Sequence, residues 1–287
     1  MEILVYDRAN NKVIKEEIRK SLNFLYNTSL GRIILKIIIN PTISKFNGLL
    51  IRSRLSKFKI KKFIIKNNIN MDDYENVKYK SFDEFFTRKV KNGKRKICLE
   101  ENILISPCDS KLMVYDINKL TCINVKNSLY TINELVRDKK IAHQYYSGKC
   151  LVFRLNVEDY HHYGDIDDGK VISTKEIKGV LHTINPIAFK RYKVFSENHR
   201  VVNIVETKNF GDIIYIEVGA LNIGKINNYP DKICHKGKER GYFSFGASTI
   251  VLIFKENTIK IDDDILEKSK EGIETKILYG EKIGKKY

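Results

Sequence analysis

The chain has no tryptophan, and its five cysteines (Cys98, Cys108, Cys122, Cys150 and Cys234) are odd in number, widely spaced and free of any C-x-x-C pair. That pattern excludes a disulfide scaffold and a zinc site, and it fits a reducing compartment. No segment reaches the roughly 18 to 20 uninterrupted apolar residues that cross a bilayer, so contact with a membrane means lying on it. The opening MEILVYDRANNKVIKEE has acidic residues early and no apolar core with a small-residue cleavage site, so no signal peptide is expected. Internal repeats and low-complexity linkers are also missing.

Acidic residues are the minority charge. Fifty-two Lys and Arg face thirty-five Asp and Glu, a net charge of +17. Nucleic acid, an anionic membrane surface and acidic ligands are the partners such a balance favours. A Lys- and Ile-rich, Trp-free composition is equally what an AT-rich genome produces, so charge alone does not choose among them. The 287 residues, 43% of them hydrophobic, suffice for one large domain or for a core domain with an appendage.

The texture changes once along the chain. From about residue 13 to 80, apolar residues recur at three and four with cations between them, as in IKEEIRKSLNFLYN, LGRIILKIII and, after the breaker Asn40-Pro41, ISKFNGLLIRSRLSKFKIKKFIIK. These read as basic amphipathic helices. They form either a helical subdomain with a solvated charged face or an interfacial layer, to which each cation near anionic lipid adds roughly 1 kcal/mol. Beyond a boundary near 75–100, short β-rich runs such as CLVFRLNV and STIVLIFKENTIKI alternate with Gly, Asn and Asp turns. The expectation is an α+β chain: a helical, membrane-associating region over 1–80 and a mostly antiparallel β domain over 81–287.

One junction stands out. In YFSFGASTIVLIF, Gly246, Ala247, Ser248 and Thr249 sit at the mouth of an apolar run that reads as a buried strand. A tight turn before a strand is the plain explanation. Three further segments hold candidate chemistry: SPCDS at 106–110, DYHHYGDIDDG at 159–169 and LHTINPIAFKRYKVFSENHRVV at 181–202. Each is weak alone, since a lone Asp after Pro is usually a turn former.

Together and in order, these segments resemble the phosphatidylserine decarboxylases, a pyruvoyl enzyme family. The resemblance runs from about residue 82 to 260, with a flavour typical of the clostridial branch. FFTRKVKNGKRKI, SPCDS, DYHHY, HTINP, ENHRVV, VGALNIGKI and KGKERGYFSFGAST are similar to seven ordered family motifs. The resemblance implies that Ser248 attacks the carbonyl of Ala247 and that β-elimination splits the chain into residues 1–247 and 248–287. Hydrolysis then leaves a pyruvoyl cofactor in place of Ser248. Its carbonyl condenses with the serine amine of phosphatidylserine and takes up the electrons released with CO2, yielding phosphatidylethanolamine.

Such a serine needs a base and a group that orients the base. By resemblance, Asp109 is the orienting carboxylate and a histidine of YHHY is the base. The family pattern most often reads Y-H-R-x-H, and here the second histidine position is Gly164 while His162 replaces the Arg. His161 is the favoured base; His162 and His182 remain alternatives. Ala247 replaces the usual glycine, and alanine resists a left-handed backbone by about 1–2 kcal/mol, so slow maturation or an inert uncleaved proenzyme is implied.

The implied partners are phosphatidylserine, an anionic membrane surface, the chain's own two fragments and a second copy in a homodimer, with no nucleic acid and no metal. The implied location is peripheral, on the cytoplasmic face of the cell membrane. Two other readings compete. A serine hydrolase would use Ser248, His161 and Asp109 as a triad, but its G-x-S-x-G elbow leads into a helix, and here the last glycine is missing and a β-branched run follows. A basic, non-catalytic module binding nucleic acid or lipid would want interleaved aromatic and cationic residues on an exposed sheet face.

Overall fold

The apolar run after the GAST junction forms the strand Thr249–Phe254, and all six of its residues are buried. It pairs antiparallel with Gly211–Val218 on one side and Lys149–Arg154 on the other, so it has no free edge. Alternation along the strand sends Val251 and Ile253 into one hydrophobic core and Ile250, Leu252 and Phe254 into a second. An antiparallel strand with one wet face would alternate apolar with polar residues. Both faces are covered here, which is why this stretch is continuously apolar.

The computed structural model describes residues 2–119, 121–125, 128–221, 225–245 and 249–287. Ten strands make the main sheet, in the order Ile233–Cys234, Gly169–Ile177, Arg200–Thr207, Gly211–Val218, Thr249–Phe254, Lys149–Arg154, Ser110–Asp116, Glu274–Ile277, Ile3–Asp7, Lys12–Glu16. Neighbours are antiparallel except Ile3–Asp7 beside Glu274–Ile277, so the expected α+β, mostly antiparallel architecture is present. A three-stranded sheet packs nearby, with Glu239–Phe243 between Ile226–Asn228 and His162–Gly164. It brings the DYHHY and KGKERGYFSF segments side by side.

Two expectations for the N-terminal region are corrected. Residues 3–16 are a β-hairpin, not helix, and they extend the main sheet. Ile3, Val5 and Asp7 point inward at period two, and Asn11 takes the turn at φ 47°, a conformation Asn tolerates better than most residues. Helices follow at α1 (Lys20–Asn27), α2 (Ser29–Ile38), α3 (Pro41–Arg52) and α4 (Lys59–Lys66). Thr28 caps α2 and Asn40 caps α3, with Pro41 in its first turn.

Nor are these helices uniformly basic on their outer face. α2 and α3 expose Leu30, Ile33, Ile37, Phe46, Leu49 and Leu50, and the following turn exposes Leu55 by 82% and Phe58 by 77%. Lysines crowd instead into α4, at positions 59, 61, 62 and 66. No single helix among the described residues is long and apolar enough to cross a membrane.

A third cluster, built of aromatic rings, ties this region to the site. Phe63 of α4 meets Phe82 of α5 (Phe82–Phe86) edge to face at 5.0 Å, and Phe245 packs on Phe82 and Phe86 at 5.2 and 5.0 Å. Phe245 therefore joins the chain just before Gly246 to the helical layer.

Because Thr249–Phe254 is the shared wall of two cores, truncating it should be costly. Leu252→Ala is expected to destabilise by about 2–5 kcal/mol in chemical denaturation, through lost transfer energy plus the cavity left behind. A cost under about 1 kcal/mol would mean the strand is not central.

Candidate active site

A cavity of about 650 Å³ gathers residues from four of the sequence segments: His161, Asn185, Ala220, Leu221 and Phe245, with Phe86 beside them. Ala247 and Ser248 lie outside the described residues. Their described neighbours are placed, however: Phe245 lines the cavity, and Thr249 sits opposite Arg154, which lines it too. Thr249 Oγ1 is buried and has no hydrogen-bond partner among the described residues.

His161 is 1% exposed, with Phe86 packed at 4.1 Å between ring centroids. Its Nδ1 lies 2.9 Å from the carbonyl oxygen of Asp159. A carbonyl can only accept, so Nδ1 carries the proton and Nε2 is left with its lone pair, the form a base requires. Burial, reinforced by the charge of Arg88, lowers the His161 pKa to about 3, so the ring is neutral across the physiological range.

The Asp159 carbonyl is itself fixed from both sides. The Asp159 carboxylate accepts from Lys111 Nζ at 2.8 and 2.9 Å and from the Asn156 N–H at 2.6 Å. Arg88 is buried against Tyr74 and Phe85 and donates to the Glu158 carbonyl at 2.7 Å and, at 3.5 Å, to that of Asp159. The FF-x-R motif thus supplies one ring against His161 and one guanidinium beneath its loop.

Asp109 is engaged with other groups. Its carboxylate accepts from Arg95 at 2.5 to 3.0 Å through two nitrogens, and from the Tyr279 N–H at 2.8 Å. Among the described residues no hydrogen bond joins Asp109 to a histidine, and Asp109 does not line the cavity. Among the described hydrogen bonds the contact on His161 Nδ1 is the Asp159 carbonyl, and the partners of Asp109 are Arg95 and the Tyr279 N–H. Gly164, the position of the family's second histidine, is closed to a side chain: a Cβ there would stand 2.1 Å from Tyr279 Oη. Tyr279 fills that space and donates to the Gly237 carbonyl at 2.9 Å.

The other two histidines are engaged elsewhere. His162 lies between the rings of Tyr160 and Tyr242, with Nε2 3.0 Å from the Thr87 carbonyl and Nδ1 3.2 Å from Glu239. Glu239 is held down to about 2: burial would raise it, but His162 and the Tyr160 hydroxyl outweigh that effect. His182 stacks on Tyr192 at 4.0 Å and meets the Tyr26 hydroxyl at 3.3 Å, and burial lowers it to about 4. Neither lines the cavity, whereas His161 does.

The chain also carries the profile of a known family: the family model for phosphatidylserine decarboxylase matches residues 82–285. The chain belongs to the phosphatidylserine decarboxylase family. It is 52% identical over 287 residues to phosphatidylserine decarboxylase proenzyme 2 of Clostridium acetobutylicum, covering 99% of both chains. Phosphatidylserine decarboxylase proenzymes of Clostridium kluyveri, 44% identical over 93% of each chain, and Clostridium tetani, 42% identical over 99% of each, are further relatives. Identity along nearly the whole length brings residues 1–81, outside the family-model match, into the likeness as well.

The depressed histidines set a pH dependence. In the unfolded chain His161 and His182 titrate near 6.5, whereas burial holds them at about 3 and about 4 when folded. Below pH 6.5 the unfolded state binds protons that the folded state refuses, so stability falls with falling pH, by up to about 1.4 kcal/mol per pH unit for each histidine. Denaturation midpoints at pH 7.5, 6.5 and 5.5 should decline for the native sequence and decline less steeply for His161→Gln. Parallel curves would show that His161 is not buried neutral.

Proposed function

We propose that the chain is a self-processing, pyruvoyl-dependent decarboxylase that converts phosphatidylserine to phosphatidylethanolamine and CO2. The observation that carries this reading is the neutral His161, which lines the same cavity as Phe245, two residues before Ala247 in the chain, and as Arg154, the sheet partner of Thr249. In self-cleavage, His161 Nε2 takes the Ser248 hydroxyl proton as Oγ adds to the Ala247 carbonyl, and the amide becomes an ester. Loss of the Ser248 Cα proton then expels the Ala247 carboxylate, and hydrolysis of the resulting dehydroalanine releases ammonia.

The pyruvoyl group so formed supplies a carbonyl that accepts electrons as CO2 departs. The chain's own residues do the rest. Phe86, Ala220, Leu221 and Phe245 give the cavity an apolar wall that limits water around the reacting carboxylate. Asn185 Oδ1 is occupied by the Ile187 N–H at 3.1 Å, which leaves its amide NH2 as a donor. His161 Nε2 can hold a proton and return it to carbon after CO2 is lost. Asp109, paired with Arg95, serves as a structural anchor for the Tyr279 segment in this reading.

The fragments are expected to stay together after cleavage. Residues 248–287 contain the central strand Thr249–Phe254 and also Glu274–Ile277, both hydrogen-bonded into the main sheet between strands of the other fragment. Intact mass should show residues 1–247 and 248–287 under denaturing conditions and one particle under native ones. The small fragment should react with hydroxylamine. Ala247→Gly should raise the cleaved fraction, and His161→Gln should slow cleavage by about 10²–10⁴-fold, the range of a general base. A Ser248→Ala protein that still decarboxylates phosphatidylserine would refute the reading.

The reading includes peripheral attachment to the cytoplasmic face of the membrane. Its support is the run of exposed apolar side chains on α2, α3 and the turn after them, flanked by the lysines of α4. Replacing Leu49, Leu55 and Phe58 with Ser should sharply reduce sedimentation with phosphatidylserine-containing vesicles while leaving the melting temperature nearly unchanged, because these side chains are exposed. Undiminished sedimentation would move the membrane surface elsewhere.

A further inference from the structure

The cavity wall holds three cationic side chains, Arg19, Lys66 and Arg154. Arg154 is committed: its side chain is buried and pairs with Glu274, Glu16 and Asn156. Arg19 and Lys66 are exposed and mark the opening of the cavity. Arg19 stands at the N-cap of α1 and Lys66 in the last turn of α4. Arg19 Nη2 donates to Asn67 Oδ1 at 2.7 Å, which ties the start of one helix to the end of the other and sets both cations on one rim. Among the described residues neither has a carboxylate within ion-pair distance.

Three carboxylates share the wall. Glu16 is paired with Arg154, and Glu158 accepts from Asn156 at 2.8 Å. Glu17 is exposed beside Arg19, so the free rim groups keep one net positive charge. We propose that Arg19 and Lys66 form a binding site for the phosphodiester of the substrate headgroup, an inference that rests on the decarboxylase reading.

Chemistry separates the two anions of that headgroup. The carboxylate must lie deep, near His161, where a low-polarity wall favours its leaving as neutral CO2; a permanently charged Arg or Lys paired to it would stabilise the ground state and oppose the reaction. The phosphodiester lies between the serine carbons and the glycerol, so it falls where the headgroup leaves the cavity toward the acyl chains. Phe24 on α1 and Ile65 on α4 are exposed on the same two helices, which puts the rim next to apolar surface. A monoanionic phosphodiester matches one net positive charge. Neither cation falls within the family-model match of 82–285.

The test uses the full chain and three measurements: calorimetric binding of soluble glycerophosphoserine, turnover of phosphatidylserine in neutral detergent micelles, and sedimentation with vesicles. Arg19→Gln and Lys66→Gln should each weaken glycerophosphoserine binding and raise KM about ten-fold, the effect of losing about one charge-assisted contact, with kcat within two-fold and self-cleavage unchanged. Arg19→Lys should recover most of the loss. O-methylserine, which lacks the phosphate, should bind the native and variant proteins alike. Unchanged glycerophosphoserine binding in the double variant would overturn the proposal. So would a loss seen only with vesicles, since that reports general attraction to an anionic surface. Binding is read without turnover, so an inactive native protein would count against the decarboxylase reading and leave the rim still decided by calorimetry.

Discussion

Asp159 is the residue on which the geometry of the site depends. Its carboxylate closes on the Lys111 ammonium, which is almost fully buried, and its carbonyl closes on His161. Removing one partner from a buried ion pair leaves a charge without compensation, a cost of about 3–5 kcal/mol, so the loop has little freedom to relax. Lys111 belongs to the strand Ser110–Asp116, next to the strand Lys149–Arg154 that leads into this loop. The main sheet therefore sets the position of Asp159, and the position of its carbonyl sets the tautomer of His161. A side-chain carboxylate in the same place would attract a second proton to the ring; a carbonyl holds one proton on Nδ1 and adds no full charge.

The helical layer is joined to the site rather than appended to it. Glu16, at the end of the N-terminal hairpin, reaches Arg154 at 3.1 Å and Asn156 at 2.9 Å. Ser56 Oγ accepts from the Phe82 N–H at 2.8 Å, and Arg52 pairs with Asp83 at 3.2 Å, so α5 is held by the segment whose outer face is apolar. α5 in turn presents Phe86 to His161 and to Phe245. A displacement of the helices is mechanically connected to the residue before Gly246 through packed rings, which are poorly compressible.

Much of this was legible in the residues themselves. The central strand could be read from its unbroken apolar run, and the order of short motifs pointed to the family. A glycine at position 164 showed that the family's second histidine has no counterpart here. What was hidden has physical reasons. The N-terminal hairpin lies at the edge of the sheet, where Val13 and Ile14 satisfy a helical period as easily as an alternating one. The role of Asp159 rests on its backbone carbonyl, which no residue type encodes. The orienting role of Asp109 came from its place in a family motif, SPCDS, and a motif contains no record of Arg95 or of the Tyr279 N–H that hydrogen-bond its carboxylate here. Basic patterning in residues 29–66 was visible as composition, but which helix turned its lysines outward depended on how α2 and α3 pack.

A histidine held at about 3 is a weak base, and the two tasks assigned to it weigh that differently. Efficient general bases titrate near the working pH, so His161 is poorly matched to fast proton removal. The proposed self-cleavage would happen once per molecule and so tolerate a slow rate, while neutrality keeps the lone pair on Nε2 present at every physiological pH. Turnover is repeated, and there the bound substrate alters the balance. A carboxylate entering the cavity brings negative charge close to the ring, which favours the protonated form and raises its pKa. In the proposed reaction His161 is thus neutral when the cavity is empty and better able to hold a proton when it is filled; CO2 leaves neutral, so the electron pair stays behind, and the basic carbon this creates draws the proton from Nε2.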